Sequence, residues 1–294
     1  MAVSNQAAND DTRDRRTFQL LQRLLDAMRH KNTAVASQAL AAADDVSTFV
    51  NSHVVLNNDR RCFSTCLHLA CVRGHVKIVR LLIDRDADVT ALDFRSWTPL
   101  HRACASGVDA DAKVECLLQH GAASQVNARD DLGETALHKA ASRGRSYSIK
   151  LLLQHGALVD AECDNGRRAL QAACGRGHVA CLRELLKHGA DFKSRHNQRG
   201  LTPLQMAARG GHVNCVTALL DYGADINDTD VINRTALFHA VTMSRVKVIA
   251  TLLAHAHCDV TIKDAFGKRA VDVARSREVK TLLLRRNVPS SRQA

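Results

Sequence analysis

Residues 202–226 read TPLQMAARGGHVNCVTALLDYGADI, and the pattern returns along the chain. It recurs as CLHLACVRGHVKIVRLLIDRDADV (66–89), PLHRACASG (99–107), ALHKAASRG (136–144), ALQAACGRGHVACLRELLKHGADF (169–192) and ALFHAV (236–241). Counted from the Thr or Arg that opens each motif, units start at 65, 98, 135, 168, 202, 235 and 269, in steps of 33, 37, 33, 34, 33 and 34 residues. A period of this size marks a stacked array of small structural units.

Each unit reads as two short helices and a turn. Thr65, Thr98, Thr135, Thr202 and Thr235 stand where a hydroxyl can accept from a free backbone N–H. Pro99 and Pro203 follow at the first helical position, where a missing N–H costs nothing. An Ala-rich inner helix ends near Gly74, Gly144 or Gly177. A second helix then carries the pairs Leu81/Leu82, Leu117/Leu118, Leu152/Leu153, Leu185/Leu186, Leu219/Leu220 and Leu252/Leu253. Gly121, Gly156, Gly189 and Gly223 are placed to stop it in the left-handed conformation. Asp- and Asn-rich stretches such as NARDDLGET suit a projecting hairpin. So short a helix pair cannot bury its own apolar face and requires stacked neighbours.

These motifs resemble the ankyrin repeat. Thr98-Pro99-Leu100-His101 matches the family's opening in full, Thr65-Cys66-Leu67-His68, Thr135-Ala136-Leu137-His138 and Thr202-Pro203-Leu204-Gln205 match three of four positions, and Gly-His recurs at 74–75, 177–178 and 211–212. The resemblance implies an all-α solenoid of stacked helix pairs with projecting hairpins and a concave binding face. About six full repeats and a C-terminal cap are expected over 59–286, a degenerate capping repeat over 17–58, and loose tails at 1–16 and 287–294. The four extra residues of the second repeat fall around VDADAK (108–113) and ASQ (123–125).

Composition narrows the function. Of 294 residues 46% are hydrophobic, enough for a core, yet only 3% are aromatic, so Ala, Leu, Val and Ile must fill it. No apolar run approaches the roughly 20 residues of a membrane helix, and no signal peptide is read. Ten cysteines without an export signal fit a reducing address, cytosol or nucleus. Net charge is +11, and the whole excess lies in residues 59–294, because residues 1–58 carry six charges of each sign. Such a surface favours acidic partners.

Several groupings yield to ordinary structural roles. His68, His101 and His138 share one repeat position, His75, His178 and His212 a second, and His120, His155, His188 and His255 a third, which favours structural hydrogen bonding over metal. Cys62, Cys66 and Cys71 with His68 superficially suggest zinc. Cys71 occupies a small buried slot filled elsewhere by Ala141 and Ala208, so no metal and no cofactor are expected. Cys163 and Cys258 lie near hairpins and are read as exposed. No nucleotide-binding, zinc-protease or hydrolase motif is present. The carboxylate pairs Asp130/Asp131 and Asp228/Asp230 are expected in hairpins open to water, so no catalytic residue is assigned.

The basic residues carry the functional reading. Hairpins and their return strands hold Arg60, Arg61, Arg95, Arg129, Arg167, Arg168, Arg195, Arg199, Arg234, Lys263, Lys268 and Arg269. The inner-helix position two residues past the motif leucine reads Leu69, Arg102, Lys139, Ala172, Met206 and His239, with Arg73, Arg143 and Arg176 near the helix ends. In ankyrin proteins these elements line the partner-binding groove. Thirty arginines against eleven lysines suit bidentate carboxylate contacts. Phe94 and Trp97 beside Arg95 suggest a fingertip hot spot. The resemblance also implies asparagine hydroxylation at Asn127 and Asn227, where other repeats have Thr90 and Asp160.

The expectation is a non-enzymatic, monomeric scaffold or adaptor that binds an acidic protein segment. Three alternatives remain in view. A ubiquitin-ligase substrate receptor is one, although the sequence after 286 is too short for a SOCS box. A nucleic-acid-associated regulator is another, disfavoured by scarce aromatics. An effector of a pathogen or symbiont is the third.

Overall fold

The computed structural model describes residues 2–43, 45–55, 63–107, 109–196 and 199–286. The chain divides into two compact units: residues 1–131 with 154–157, and residues 132–153 with 158–294.

Unit 1 opens with helix α1 (Ala2–Arg29) packed on α2 (Thr33–Ala41), followed by α3 (Val46–Asn51). Leu24, Met28, Ala36 and Leu40 are buried in this pair. Because α1 begins at Ala2, the boundary expected at residue 16 falls inside a helix, and residues 2–16 are its first turns instead of a loose tail. The other expected tail, 287–294, lies outside the described residues. The first hairpin is a true antiparallel ladder: β1 (His53–Val55) pairs with β2 (Phe63–Thr65), His53 opposite Thr65. Then come α4 (Cys66–Arg73), α5 (Val76–Ile83), α6 (Pro99–Ala105) and α7 (Ala110–Gln119).

Unit 2 repeats the helix pair four times: α8 (Ala136–Arg143) with α9 (Ser146–Gln154), α10 (Ala169–Arg176) with α11 (Val179–Lys187), α12 (Pro203–Gly210) with α13 (Val213–Asp221), and α14 (Ala236–Thr242) with α15 (Val246–Ala254). A 3-10 turn (Ala270–Val273) and α16 (Arg277–Arg286) end it. Inner helices α8, α10, α12 and α14 stack side by side, as do outer helices α11, α13 and α15.

The motif residues do what their chemistry allows. The Thr98 and Thr202 hydroxyls accept from the amides of His101 and Gln205 at 3.4 and 3.3 Å. Thr235 occupies the same position without the capping box of its neighbours, because Phe238 stands where they place a His or Gln that accepts from the opening residue's amide. Leu82, Leu117, Leu152, Leu185, Leu219 and Leu252 are fully buried, each contributing roughly 1.5–3 kcal/mol of transfer free energy. The glycines 121, 156, 189 and 223 after the outer helices all have positive φ, between 81° and 98°, which a side chain would strain.

The motif His or Gln ties each repeat to the next hairpin. The Thr65 amide donates to His68 Nδ1 at 3.3 Å, and His68 Nε2 faces the Trp97 carbonyl at 2.8 Å. His138 bonds in the same way to the Thr135 amide (3.2 Å) and the Arg167 carbonyl (2.9 Å). Gln205 accepts from the Thr202 amide and donates to the carbonyls of Asp228 and Arg234. Register therefore accounts for these histidines.

The second repeat's extra residues divide between the approach to α7 and a 3-10 turn at Ala122–Gln125. Asp109 takes a left-handed φ of 46° there and meets His75 Nε2 at 3.1 Å.

Candidate functional site

Of the hairpin carboxylates expected to be open to water, Asp131 is exposed and Asp228 half-buried, but Asp130 and Asp230 are not. Asp93, Asp130, Asp230 and Asp264, each five residues before a motif opening, are buried. They fold the hairpin around themselves. Asp93 Oδ1 accepts from the amides of Arg95 and Trp97, Asp230 Oδ1 from Ile232 and Arg234, and Asp264 Oδ1 from Phe266 and Lys268. Cys163 fills the same slot in another hairpin, its thiol 3.1 Å from Asn165 Oδ1, and is buried, as is Cys258; neither is exposed as expected.

These acids sort the basic residues into two groups. In unit 1, Arg102 Nε donates to Asp93 Oδ2 at 2.7 Å, while its guanidinium lies 4.4 Å over the Trp97 ring and 5.7 Å from Phe94. Trp97 is thereby covered by its own chain, and its ring tilts against His101 with centroids 6.3 Å apart. Phe94 stays 40% exposed, with Arg95 5.4 Å over its ring. Arg129 is exposed on the following hairpin. In unit 2, Lys139 and Arg167 converge on the Glu134 carboxylate. Burial pushes that carboxyl up, but the hydrogen bonds and charges of Lys139 and Arg167 outweigh it and hold the group below 4.5. Arg234 pairs with Asp264 at 3.0 Å. His239 Nε2 lies 3.0 Å from Asp230 Oδ2. Burial lowers the His239 pKa, Asp230 opposes, and Arg209 and Arg234 add to the lowering. Arg195 and Arg168 are paired with Asp228 and with Glu162 and Asp191.

Three arginines lie on the inner helices of unit 2. Arg143, Arg176 and Arg209 sit at or near the ends of α8, α10 and α12, are exposed, and their guanidinium groups make no hydrogen bond or ion pair among the described residues. Met206, half-buried on α12, reaches toward Gly175 of α10 and is the apolar neighbour of this row. Beyond it lies a hollow lined by Arg199, Arg209, Asp230, Val231, Arg234, His239 and Met243, among others. Arg209 was not among the residues singled out from sequence. Counting from the motif opening places Gly210 in its slot, but the inner face of a helix recurs at three residues as well as four, and Arg209 is three beyond Met206.

The two candidate asparagines bridge hairpins. Asn127 Nδ2 donates to the Gly156 carbonyl at 3.0 Å; Asn227 Nδ2 donates to the His257 carbonyl at 2.7 Å and its Oδ1 accepts from the Asp259 amide. Asn51 makes the same pair of bonds to Asp86 and Asp88, an equivalence hidden in the sequence by the longer first hairpin.

Among the described residues no group of three or more His, Cys, Asp or Glu is placed to hold a metal ion. Burial pushes the Cys66 and Cys71 thiols up to about 12, and both ring nitrogens of His68 are engaged. Cys62, Arg60 and Arg61 lie outside the described residues. Among the described residues no helix is long and apolar enough to cross a membrane.

Stacked helix pairs, bridged hairpins and a cationic inner face define a repeat protein built to present side chains. The family profile described as "Ankyrin repeats" matches three times, over residues 24–130, 109–196 and 192–264, and the chain belongs to that family. Human NF-kappa-B inhibitor alpha is 36% identical over 110 residues, 36% of this chain and 34% of that protein. Human SMC5-SMC6 complex localization factor protein 1 is 40% identical over 96 residues, 32% of this chain and 9% of that protein. An Arabidopsis thaliana ADP-ribosylation factor GTPase-activating protein, AGD2, is 36% identical over 99 residues, 33% of this chain and 12% of its own length. The chain thus spans about a third or less of these relatives. The ankyrin repeat domain of human ASB11 superposes with a TM-score of 0.70 at 28% identity, covering 77% of this chain and 99% of that one. The ankyrin repeat domain of Bcl-3 does so with 0.62 at 27%, covering 75% and 98%. Ankyrin repeats are protein–protein interaction modules, and the fold is typically non-catalytic.

Proposed function

We propose that this chain is a binding scaffold that docks an acidic protein segment across inner helices α8, α10 and α12 of unit 2. The observation that carries it is the contrast among the arginines of unit 2: Arg167, Arg168, Arg195, Arg234 and Arg269 of the hairpins are paired with carboxylates, whereas among the described residues Arg143, Arg176 and Arg209 of the inner helices are not. Unpaired arginines on a rigid surface steer and select anionic partners at little ordering cost. A relative whose name describes inhibition of another protein, NF-kappa-B inhibitor alpha, supports a role exercised through binding. The buried free thiols fit the reducing conditions of cytosol or nucleus.

The test is the combined variant Arg143→Glu, Arg176→Glu, Arg209→Glu. Proteins captured by the wild-type chain from lysate are identified by mass spectrometry, and their affinities measured against both forms. Binding of acidic partners is expected to weaken at least about thirtyfold with an unchanged thermal melt. Equal capture by both forms would show that the row is merely solvated. Charge reversal at Arg167 is unsuitable, because it would set a second carboxylate against Glu134 and confuse folding with binding.

A further inference from the structure

The hollow at the α12–α14 end of the arginine row combines exposed apolar surface with a cation that has no hydrogen-bond or ion-pair partner among the described residues. Its one lining carboxylate, Asp230, is fully used: Oδ1 accepts the amides of Ile232 and Arg234 at 3.1 and 2.8 Å, and Oδ2 meets His239 at 3.0 Å. Arg234 is neutralised by Asp264 from outside the lining. The Arg209 guanidinium makes no hydrogen bond or ion pair among the described residues, and Arg199 lines the same recess. The lining of the recess thus sets three arginines against one aspartate. Beside it Val231 is 66% and Met243 41% exposed, large apolar side chains held facing water next to the cation.

The frame is fixed. The Val231 amide donates to the Arg199 carbonyl at 3.1 Å, the Ala265 amide to the Ile232 carbonyl at 2.9 Å, and Arg245 Nε to the Arg209 carbonyl at 3.1 Å. A ligand entering the recess would not have to order the hairpins. No Phe, Tyr or Trp lines the hollow, and its one imidazole, His239, is largely buried against Asp230, so it offers a poor stacking platform for a nucleobase. A carboxylate satisfies the guanidinium bidentately, and an adjacent aliphatic or aromatic side chain covers Val231 and Met243.

We propose that this hollow is the anchor site of the docked segment, receiving an acidic side chain immediately next to an apolar one, with Arg209 binding the carboxylate and Val231 and Met243 the apolar neighbour. This rests on the docking of an acidic segment proposed above.

A random peptide library displayed on phage, selected on the full chain, supplies the probes. Selected peptides are measured by fluorescence anisotropy against wild type, Arg209→Glu, Val231→Asp and Met243→Asp, each checked by thermal melt; all three side chains are exposed, so the fold should survive. The expected result is peptides with Asp or Glu beside Leu, Ile, Val, Phe or Met, weakened about tenfold or more by Arg209→Glu and about fivefold by either apolar substitution. Acidic peptides whose affinity stays within about twofold in all three variants would overturn the anchor while leaving the acidic-segment reading intact. Peptides without acidic residues would overturn both. Tighter binding of a labelled oligothymidylate than of any peptide, lost in Arg209→Glu, would reassign the hollow to nucleic acid.

Discussion

His138 holds two repeats with one imidazole. Its Nδ1 accepts the Thr135 amide that would otherwise be an orphan at a helix start, and its Nε2 satisfies the Arg167 carbonyl of the next hairpin. Replacement by Ala removes both bonds and leaves a void, so His138→Ala should destabilise the chain by about 2–3 kcal/mol in urea unfolding. Gln fills the equivalent position at Gln171 and Gln205, accepting the opening residue's amide and donating to the next hairpin at Ser194 or at Asp228 and Arg234, so His138→Gln should keep more than half of that stability. The pair also separates in pH. Burial holds the His138 pKa below its ordinary 6.5, against the opposing pull of the Arg167 carbonyl and Glu134. Below 6.5 the unfolded chain binds more protons than the folded one, so stability is complete above that value and is lost as pH falls through the folded value. His138→Gln should flatten this decline in melts between about pH 7 and pH 5, leaving the part due to His196 and His239, whose pKa values burial also lowers. The histidine register is legible in sequence, since Thr-x-x-His spacing alone predicts the cap. The fate of the arginines is not: Arg167 and Arg143 look alike until Glu134 is seen to reach only one of them.

At the scale of elements, the carbonyl end of an inner helix is an electrostatic need met by the following repeat. His212 of the α12–α13 repeat reaches the Gly175 carbonyl at 3.1 Å, and Arg245 reaches the Arg209 carbonyl. In unit 1 Lys113 of α7 takes this part, its Nζ donating to the Cys71 carbonyl of α4 at 2.9 Å while the side chain is fully buried. Motif spacing gave notice of extra residues here, but a buried lysine runs against every burial preference, and only the geometry of the lengthened loop explains it. Burial pulls the Lys113 pKa below 10.5, with Cys71 and Asp109 opposing. Its folded value is thus below its unfolded one, and carrying the charge at neutral pH costs stability. Removing the ammonium recovers that cost and forfeits the hydrogen bond. Lys113→Met, which keeps most of the volume, should therefore change stability by less than about 1.5 kcal/mol. Lys113→Ala adds a cavity and should be worse than Met by about 2–3 kcal/mol in the same urea titration. Equal losses in both variants would mean that the charge, and not the packing, matters at this site.

Across the molecule, periodicity revealed nearly all of the architecture because each repeat spends its residues alike: Thr caps, Leu in the core, Gly at the turn. It could not reveal the first hairpin's ladder or the helical start at Ala2, which break the period, nor the burial of Cys163 in a slot its neighbours fill with Asp. The same repetition governs the thiols. All nine described cysteines are buried and free. Burial raises Cys66 and Cys71 to about 12 and Cys215 to about 11, and lifts Cys116 and Cys174 as well. Since only the thiolate attacks, these groups are shielded twice, by access and by protonation. In the native chain at about pH 8 none of the nine described thiols should therefore react with a chromogenic disulfide within minutes, and all nine should respond together once denaturant unfolds it. Rapid labelling of two or more thiols without denaturant would mean that a repeat opens locally, and peptide mapping of the label would show which one. A labelled Cys174 or Cys215 would place that opening at α10 or α13, next to the arginine row, where a docked segment would be expected to suppress it.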